Sequence, residues 1–208
     1  MKIGLLFGCF DPIHKDHLNM AKMLVEDGFV DKVIVIPAKT NLNVKDSPII
    51  SGRYRYEMIK IASKDLNAIE VTDLEMKKEK QNYTYSTVME LREIYPNDEL
   101  YLIIGDDNLK NLYWWKNVDV LLNSVKVIAM NRDEKNIEDI IDHDAFLKKY
   151  KDRFIAISFY KNNLVSSALV RKRLKHRESV EDLIDKGVLD YIIKNNLYKG
   201  DDNEENGC

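Results

Sequence analysis

Two of the chain's four histidines, His14 and His17, stand three residues apart in the string Gly8-Cys9-Phe10-Asp11-Pro12-Ile13-His14-Lys15-Asp16-His17, just behind a hydrophobic start. The pattern puts both imidazoles where a first strand gives way to a first helix. Backbone N–H groups and the helix dipole already favour anions at such a place. The ligand chemistry that suits it is a phosphate. Two further groups could do chemistry of their own. Asp106 beside Asp107 is a carboxylate pair at a turn, where one of two neighbours normally faces water, and Asp107 is the one expected to act. Cys9 at the strand end has no evident partner order for nucleophilic catalysis.

The elements that must position these groups follow from periodicity. Lys2 to Phe7 and Lys32 to Ile36 read as strands, and Leu18, Ala21, Met23, Leu24 and Val25 between them fall at helical spacing, giving a β-α-β unit. The theme continues with a helix over 53–64, a strand over 69–72, a helix over 84–94 and a strand over 100–104 that closes on Gly105. Strands over 125–130 and 154–159 follow. They are separated by one amphipathic helix in 134–151, and helices complete the chain over 166–197. Such alternation predicts an α/β, doubly wound, mostly parallel sheet with C-terminal helices. Ligands of that fold bind beyond the carboxyl ends of the strands, so segments 8–17, 37–45, 105–115 and 165–171 are expected to share one crevice.

Composition narrows the classes. The chain has 208 residues, 45% hydrophobic and 32% charged, with a net charge of −3. It lacks the broad basic face of a dedicated nucleic-acid binder. There is no apolar run of about 18 residues to span a membrane and no export signal, so the expected location is the cytoplasm. Two cysteines without metal-ligand spacing predict reduced thiols and no protein-bound structural metal. One domain over residues 1–199 and an acidic, frayed tail over 200–208 are the expected organisation. Self-association is left open.

The string from Gly8 to His17 resembles the GxFDPxHxGH signature of the HxGH nucleotidyltransferase superfamily. Val165 to Arg171 is similar to its late ISSTxIR motif. Asn82 to Val88 resembles the SYTxxTL segment of bacterial nicotinate-nucleotide adenylyltransferases, Ile103 to Asp107 their IIGxD, and Trp115 their lone tryptophan. The ending from Val188 to Tyr198 is similar to their VxxYIxxxxLY close, so the resemblance spans residues 1–199. It implies adenylyl transfer from ATP to nicotinate mononucleotide, yielding pyrophosphate and a precursor of NAD, with Mg²⁺ accompanying ATP. It also implies roles. His14, His17 and Arg171 form the catalytic set, and the histidines hold the ATP phosphates beside Gly8, Cys9 and Phe10. Ser166, Ser167 and Arg171 meet the β/γ end, while Gly105 and Asp107 serve the adenosine, Asp107 at its ribose. Tyr83, Thr84 and Trp115 flank the nicotinate ring. Nicotinamide mononucleotide or another phosphate acceptor is the alternative substrate, and a non-catalytic nucleotide-binding protein the alternative class.

Several residues depart from the family pattern. Lys15-Asp16 stands between the histidines, where Asp16 either opposes a phosphate or caps the helix. Phe7 and Cys9 replace a glycine and a threonine, and Ala168 replaces a threonine in the late motif. The family's PPHK loop is replaced by 37–45, in which Lys45, ahead of Lys39, is the candidate for its basic residue. Arg55 is expected to be structural. Trp115 is balanced between core packing and ring contact.

Overall fold

The computed structural model describes residues 1–39, 50–78, 82–131, 136–159 and 165–199. The apolar run behind Met1 forms β1 (Lys2–Gly8). The later runs form β2 (Lys32–Pro37), β3 (Ile69–Val71), β4 (Glu99–Gly105), β5 (Lys126–Asn131) and β6 (Phe154–Ser158). Every neighbouring pair is parallel, in the order β3-β2-β1-β4-β5-β6. The chain therefore winds outward from β1, crosses back to β4 on the other side of β1, and winds outward again. The switch between β1 and β4 opens a crevice at their carboxyl ends, Gly8 and Gly105.

Each strand sends alternate residues to opposite layers, as the two-residue period requires. On β4, Tyr101 and Ile103 join one core, and Leu100, Leu102 and Ile104 join the other. The first core is covered by α1 (Lys15–Glu26), α2 (Gly52–Ser63), α8 (Ser167–Lys175) and α9 (Lys186–Lys194). The second is covered by α3 (Thr84–Ile94), α4 (Asp106–Lys110), α5 (Val118–Ser124), α6 (Ile137–His143) and α7 (Ala145–Lys149). Helix α1 shows the logic in small. Leu18, Ala21 and Leu24 recur every three residues and are buried, and the chain leaves the helix through Gly28 at φ +73. A left-handed residue just past a helix end is the natural place for glycine. Leu24 is fully buried, so truncating it to Ala would cost roughly 2–5 kcal/mol.

The structure corrects one expectation and adds two details. The single helix expected in 134–151 is two, broken at Asp144, whose carboxylate accepts the N–H groups of Phe146 and Leu147 at 2.9 Å each. An Asp side chain that captures backbone donors starts a new helix rather than continuing an old one. Between β4 and β5 lie α4 and α5, only five and seven residues long, too short to show a period. The C-terminal helical stretch is divided by a turn, where Arg177 at φ 57 follows the end of α8. The tail at 200–208 lies outside the described residues.

Candidate active site

The loop leaving β1 is shaped by a close approach. Phe10 takes a left-handed backbone (φ 51) and turns its ring back over Gly8, where an added Cβ would come within 2.8 Å of it. Only glycine fits beneath that ring. Carbonyls at this rim have left the sheet ladder and need other donors. Arg55, fully buried, supplies them: its guanidinium donates to the carbonyls of Cys9 (2.6 Å), Ala38 (2.7 Å), Lys39 (3.3 Å) and Ile50 (3.2 Å). A buried cation so satisfied ties the ends of β1 and β2 together, which is the structural role expected of Arg55.

Beyond that loop, His14 caps the start of α1 and its N–H donates to Nδ1 of His17 at 3.4 Å. A neutral imidazole that accepts at Nδ1 carries its proton on Nε2. The two rings stack at 3.6 Å between centroids, and Phe10 meets His17 edge-on at 4.9 Å. His14 is 3% exposed and His17 is half-buried, so His17 is the outer of the pair.

The N-terminus of α8 docks on the same loop. Ser167 Oγ donates to the carbonyl of Pro12 at 2.8 Å, and Arg171 donates to the carbonyl of Asp11 at 2.5 Å, with the Asp11 carboxylate 3.8 Å away. Asp11 is itself buried and accepts the Tyr198 hydroxyl at 2.6 Å. Burial first, and then this bond to a carboxylate, hold the Tyr198 phenol far above its ordinary pKa, so it stays a donor. Ser166 is exposed and caps α8, its Oγ accepting from the N–H of Leu169 at 3.1 Å.

Asp16 is not the helix cap that was one of its two readings. The cap of α1 is His14, and the Asp16 carboxylate, 7% exposed, accepts the N–H of Val165 at 2.9 Å. It anchors the approach to α8. Lys15 runs to the carbonyl of Glu181 at 2.6 Å.

On the other side of Gly8 lies a cavity of about 330 Å³. Tyr83, Thr84 and Trp115 line it, with Gly8 and Cys9 in its wall. Two of the family departures, Phe7 and Cys9, line it too. Burial pushes the Cys9 thiol up, which disfavours the thiolate a nucleophile would need. Trp115 both packs against the second core and lines the cavity.

His14, His17, Ser166, Ser167, Arg171, Gly105 and Asp107 are not among the residues that line this cavity, although Ile104 and Asn108, next to Gly105 and Asp107, are. Gly105 caps α4, Asp107 is exposed on its first turn, and Asp106 is buried against Lys110 at 2.9 Å. Lys45 lies outside the described residues, and Lys39 donates from Nζ to the carbonyl of Lys78.

Sequence reasoning missed Glu75, Asn108 and Lys116, all in the cavity lining. Glu75 is buried, accepts from the Thr87 hydroxyl at 2.8 Å, and has its carboxyl pKa raised, chiefly by burial. Lys116 holds its ammonium 4.3 Å over the Tyr83 ring. The one available signal was the position of Lys116 beside Trp115. Among the described residues, no group of three or more His, Cys, Asp or Glu could cage a metal. None of their helices is long and apolar enough to cross a membrane.

A doubly wound sheet whose switch point gathers imidazoles, a serine hydroxyl and a guanidinium defines a nucleotidyltransferase. Residues 5–173 match the family model described as cytidylyltransferase-like. A relative from Carboxydothermus hydrogenoformans is 34% identical over 199 residues, covering 95% of this chain and 98% of its own. One from Dictyoglomus turgidum is 32% identical over 207 residues, covering 99% of each. Both bear the name probable nicotinate-nucleotide adenylyltransferase. Among solved structures, the Plasmodium falciparum nicotinic acid mononucleotide adenylyltransferase complexed with NaAD superposes with a TM-score of 0.75 at 23% identity, over 95% of this chain and 97% of that one. Its complex with APC also scores 0.75, at 22% identity. The chain belongs to the cytidylyltransferase-like family and, within it, to the nicotinate-nucleotide adenylyltransferases, as its motifs implied.

Proposed function

We propose that this chain transfers the adenylyl group of ATP to nicotinate mononucleotide, within a single domain formed by residues 1–199. A phosphate oxygen of the acceptor attacks the α-phosphorus of ATP. The new P–O bond forms as the bond to the β-phosphate oxygen breaks, and pyrophosphate departs with that electron pair. A phosphomonoester has a second pKa of about 6, so the attacking oxygen is already deprotonated at neutral pH and no protein base is required. The protein's task is to align two polyanions and neutralise the leaving group.

One observation carries this reading. Ser167 and Arg171 hydrogen-bond to the same loop that presents His14 and His17, and Gly8 and Cys9 of that loop form part of the wall of the aromatic cavity. A triphosphate and a pyridine nucleotide thus have adjoining places. His17, the outer imidazole, donates to the phosphates while His14 stacks behind it, and Arg171 with Ser166 and Ser167 receives the β/γ end. Phe10 and Gly105 shape the rim, and Asp107 serves the ribose. Tyr83, Thr84 and Trp115 hold the pyridine ring.

Mg²⁺ bound to the triphosphate supplies further neutralisation of the leaving pyrophosphate. The loop carboxylate Asp11 is already engaged by Tyr198 and Arg171, so these residues accommodate an ion held by phosphate oxygens and water.

The test is pyrophosphate release with ATP, Mg²⁺ and either nicotinate or nicotinamide mononucleotide. Faster turnover with the nicotinate compound is the expected result. ATP occupancy without pyrophosphate release from either acceptor would overturn catalysis in favour of a nucleotide-binding protein.

A further inference from the structure

The cavity beside Gly8 is walled by Tyr83, Trp114, Trp115 and apolar strand ends, yet two ionisable side chains of opposite sign also line it. Among the described lining residues, Lys116 is the one Lys or Arg and Glu75 the one Asp or Glu. Lys116 sits on the exposed side, its ammonium 4.3 Å over the Tyr83 ring. A ring face attracts a cation and steadies a side chain that would otherwise sample many rotamers. Glu75 is buried and hydrogen-bonded to Thr87 at 2.8 Å. Burial raises its carboxyl pKa.

We infer that Lys116 is the specificity-determining residue for the acceptor, its ammonium selecting a pyridine ring that bears a carboxylate over the same ring bearing a carboxamide. This rests on the proposed function, because it assumes that the ring of a pyridine mononucleotide occupies the cavity. The two acceptors share ribose, phosphate and ring, and differ by one unit of charge at the ring substituent. A cation on the rim of an aromatic wall discriminates on that difference alone. The carboxylate meets the Lys116 ammonium charge to charge, whereas the neutral amide offers it only a carbonyl dipole, so only the acid gains the full coulombic attraction.

The experiment measures kcat/KM at saturating ATP for nicotinate and nicotinamide mononucleotides in the unaltered chain, Lys116→Met and Lys116→Arg. In Lys116→Met, kcat/KM for the nicotinate compound should fall roughly tenfold or more, while that for the nicotinamide compound stays within about twofold. Retained turnover of the amide shows that the variant is folded. Lys116→Arg should recover most of the preference. Equal losses with both acceptors would place Lys116 at the shared phosphate or make it a mere prop for Tyr83, and would overturn the inference. An unchanged ratio would overturn it as well.

Quenching of Trp114 and Trp115 fluorescence by the same two mononucleotides reads the preference without turnover. A chain that binds the acid selectively through Lys116 but releases no pyrophosphate would sink the catalytic reading and leave this inference standing. A chain that binds neither compound would sink this inference directly.

Discussion

Replacing Asp16 with glycine, the residue that the family pattern carries between its histidines, separates two opposite physical accounts of one carboxylate. If its charge opposes bound phosphate, removal tightens ATP binding. The structure predicts the reverse, because Asp16 Oδ2 holds the N–H of Val165 at 2.9 Å, one residue before the cap of α8. A hydrogen bond to a charged acceptor is worth about 1.5–3 kcal/mol, and replacing Asp by Gly in a helix adds about 0.3 more, because Asp is itself a weak helix former. At about 2–4 °C per kcal/mol for a chain of this size, Asp16→Gly should melt roughly 4–14 °C lower. The share borne by the anchor caps the loss of ATP affinity at roughly 10- to 150-fold. Asp16→Asn is the control, since its amide oxygen still accepts from Val165 while the charge is gone; keeping the neutral share of the bond, about 0.5–1.5 kcal/mol, it should fall between the unaltered chain and Asp16→Gly in both measures. Calorimetric melting and ATP titration together decide the matter. Tighter ATP binding in both variants, with unchanged melting, would refute the anchoring argument and restore electrostatic opposition.

Three further outcomes are expected. His17→Ala should lower turnover on the order of 10²-fold or more, as loss of a positioned donor to transition-state charge does, and a variant keeping most of its pyrophosphate release would remove His17 from the mechanism. Tyr198→Phe strips the donor from a carboxylate oxygen of buried Asp11, which should cost about 1.5–3 kcal/mol in urea unfolding and raise the KM for ATP through Arg171; a loss below about 0.5 kcal/mol would contradict the network. Glu75→Gln keeps an acceptor for Thr87 and removes a titration. Because burial raises the folded-state pKa of Glu75 above the unfolded value, its favourable contribution is full at low pH and lost as pH rises through the folded pKa. Melting of Glu75→Gln relative to the unaltered chain should therefore shift in favour of the glutamine as pH rises above the ordinary carboxyl value of 4.5. A difference independent of pH would sink that reasoning.

How far the fold was legible follows from how its elements are built. Strands of a parallel sheet are covered on both faces and read as continuous apolar runs. All six were recognisable within a residue or two, from Lys2–Gly8 to Phe154–Ser158. Helices α4 and α5 were not, because five and seven residues hold too few turns to show a period. The break at Asp144 was hidden because Ile137, Ile141 and Leu147 are buried on both sides of it, as one continuous helix would also have placed them. In the site, Tyr83, Thr84 and Trp115 were readable as a motif, whereas Glu75 stands in a charged run that looks like ordinary solvated surface and Lys116 is a lone charge after two tryptophans.

Residue chemistry and local periodicity alone determined the alternating sheet and the placing of His14 and His17 at a strand-to-helix junction. Only the tertiary structure decided which distant groups meet there: Val165 with Asp16, Arg171 with Asp11, and Tyr198 with Asp11, across 149, 160 and 187 residues. Local spacing carries no record of such partners. They are chosen when helices pack over a twisted sheet and the few buried polar groups must find donors and acceptors wherever the chain returns. For that reason Asp16, by its type a helix cap or an obstacle to phosphate, became the anchor of a helix that begins about 150 residues later.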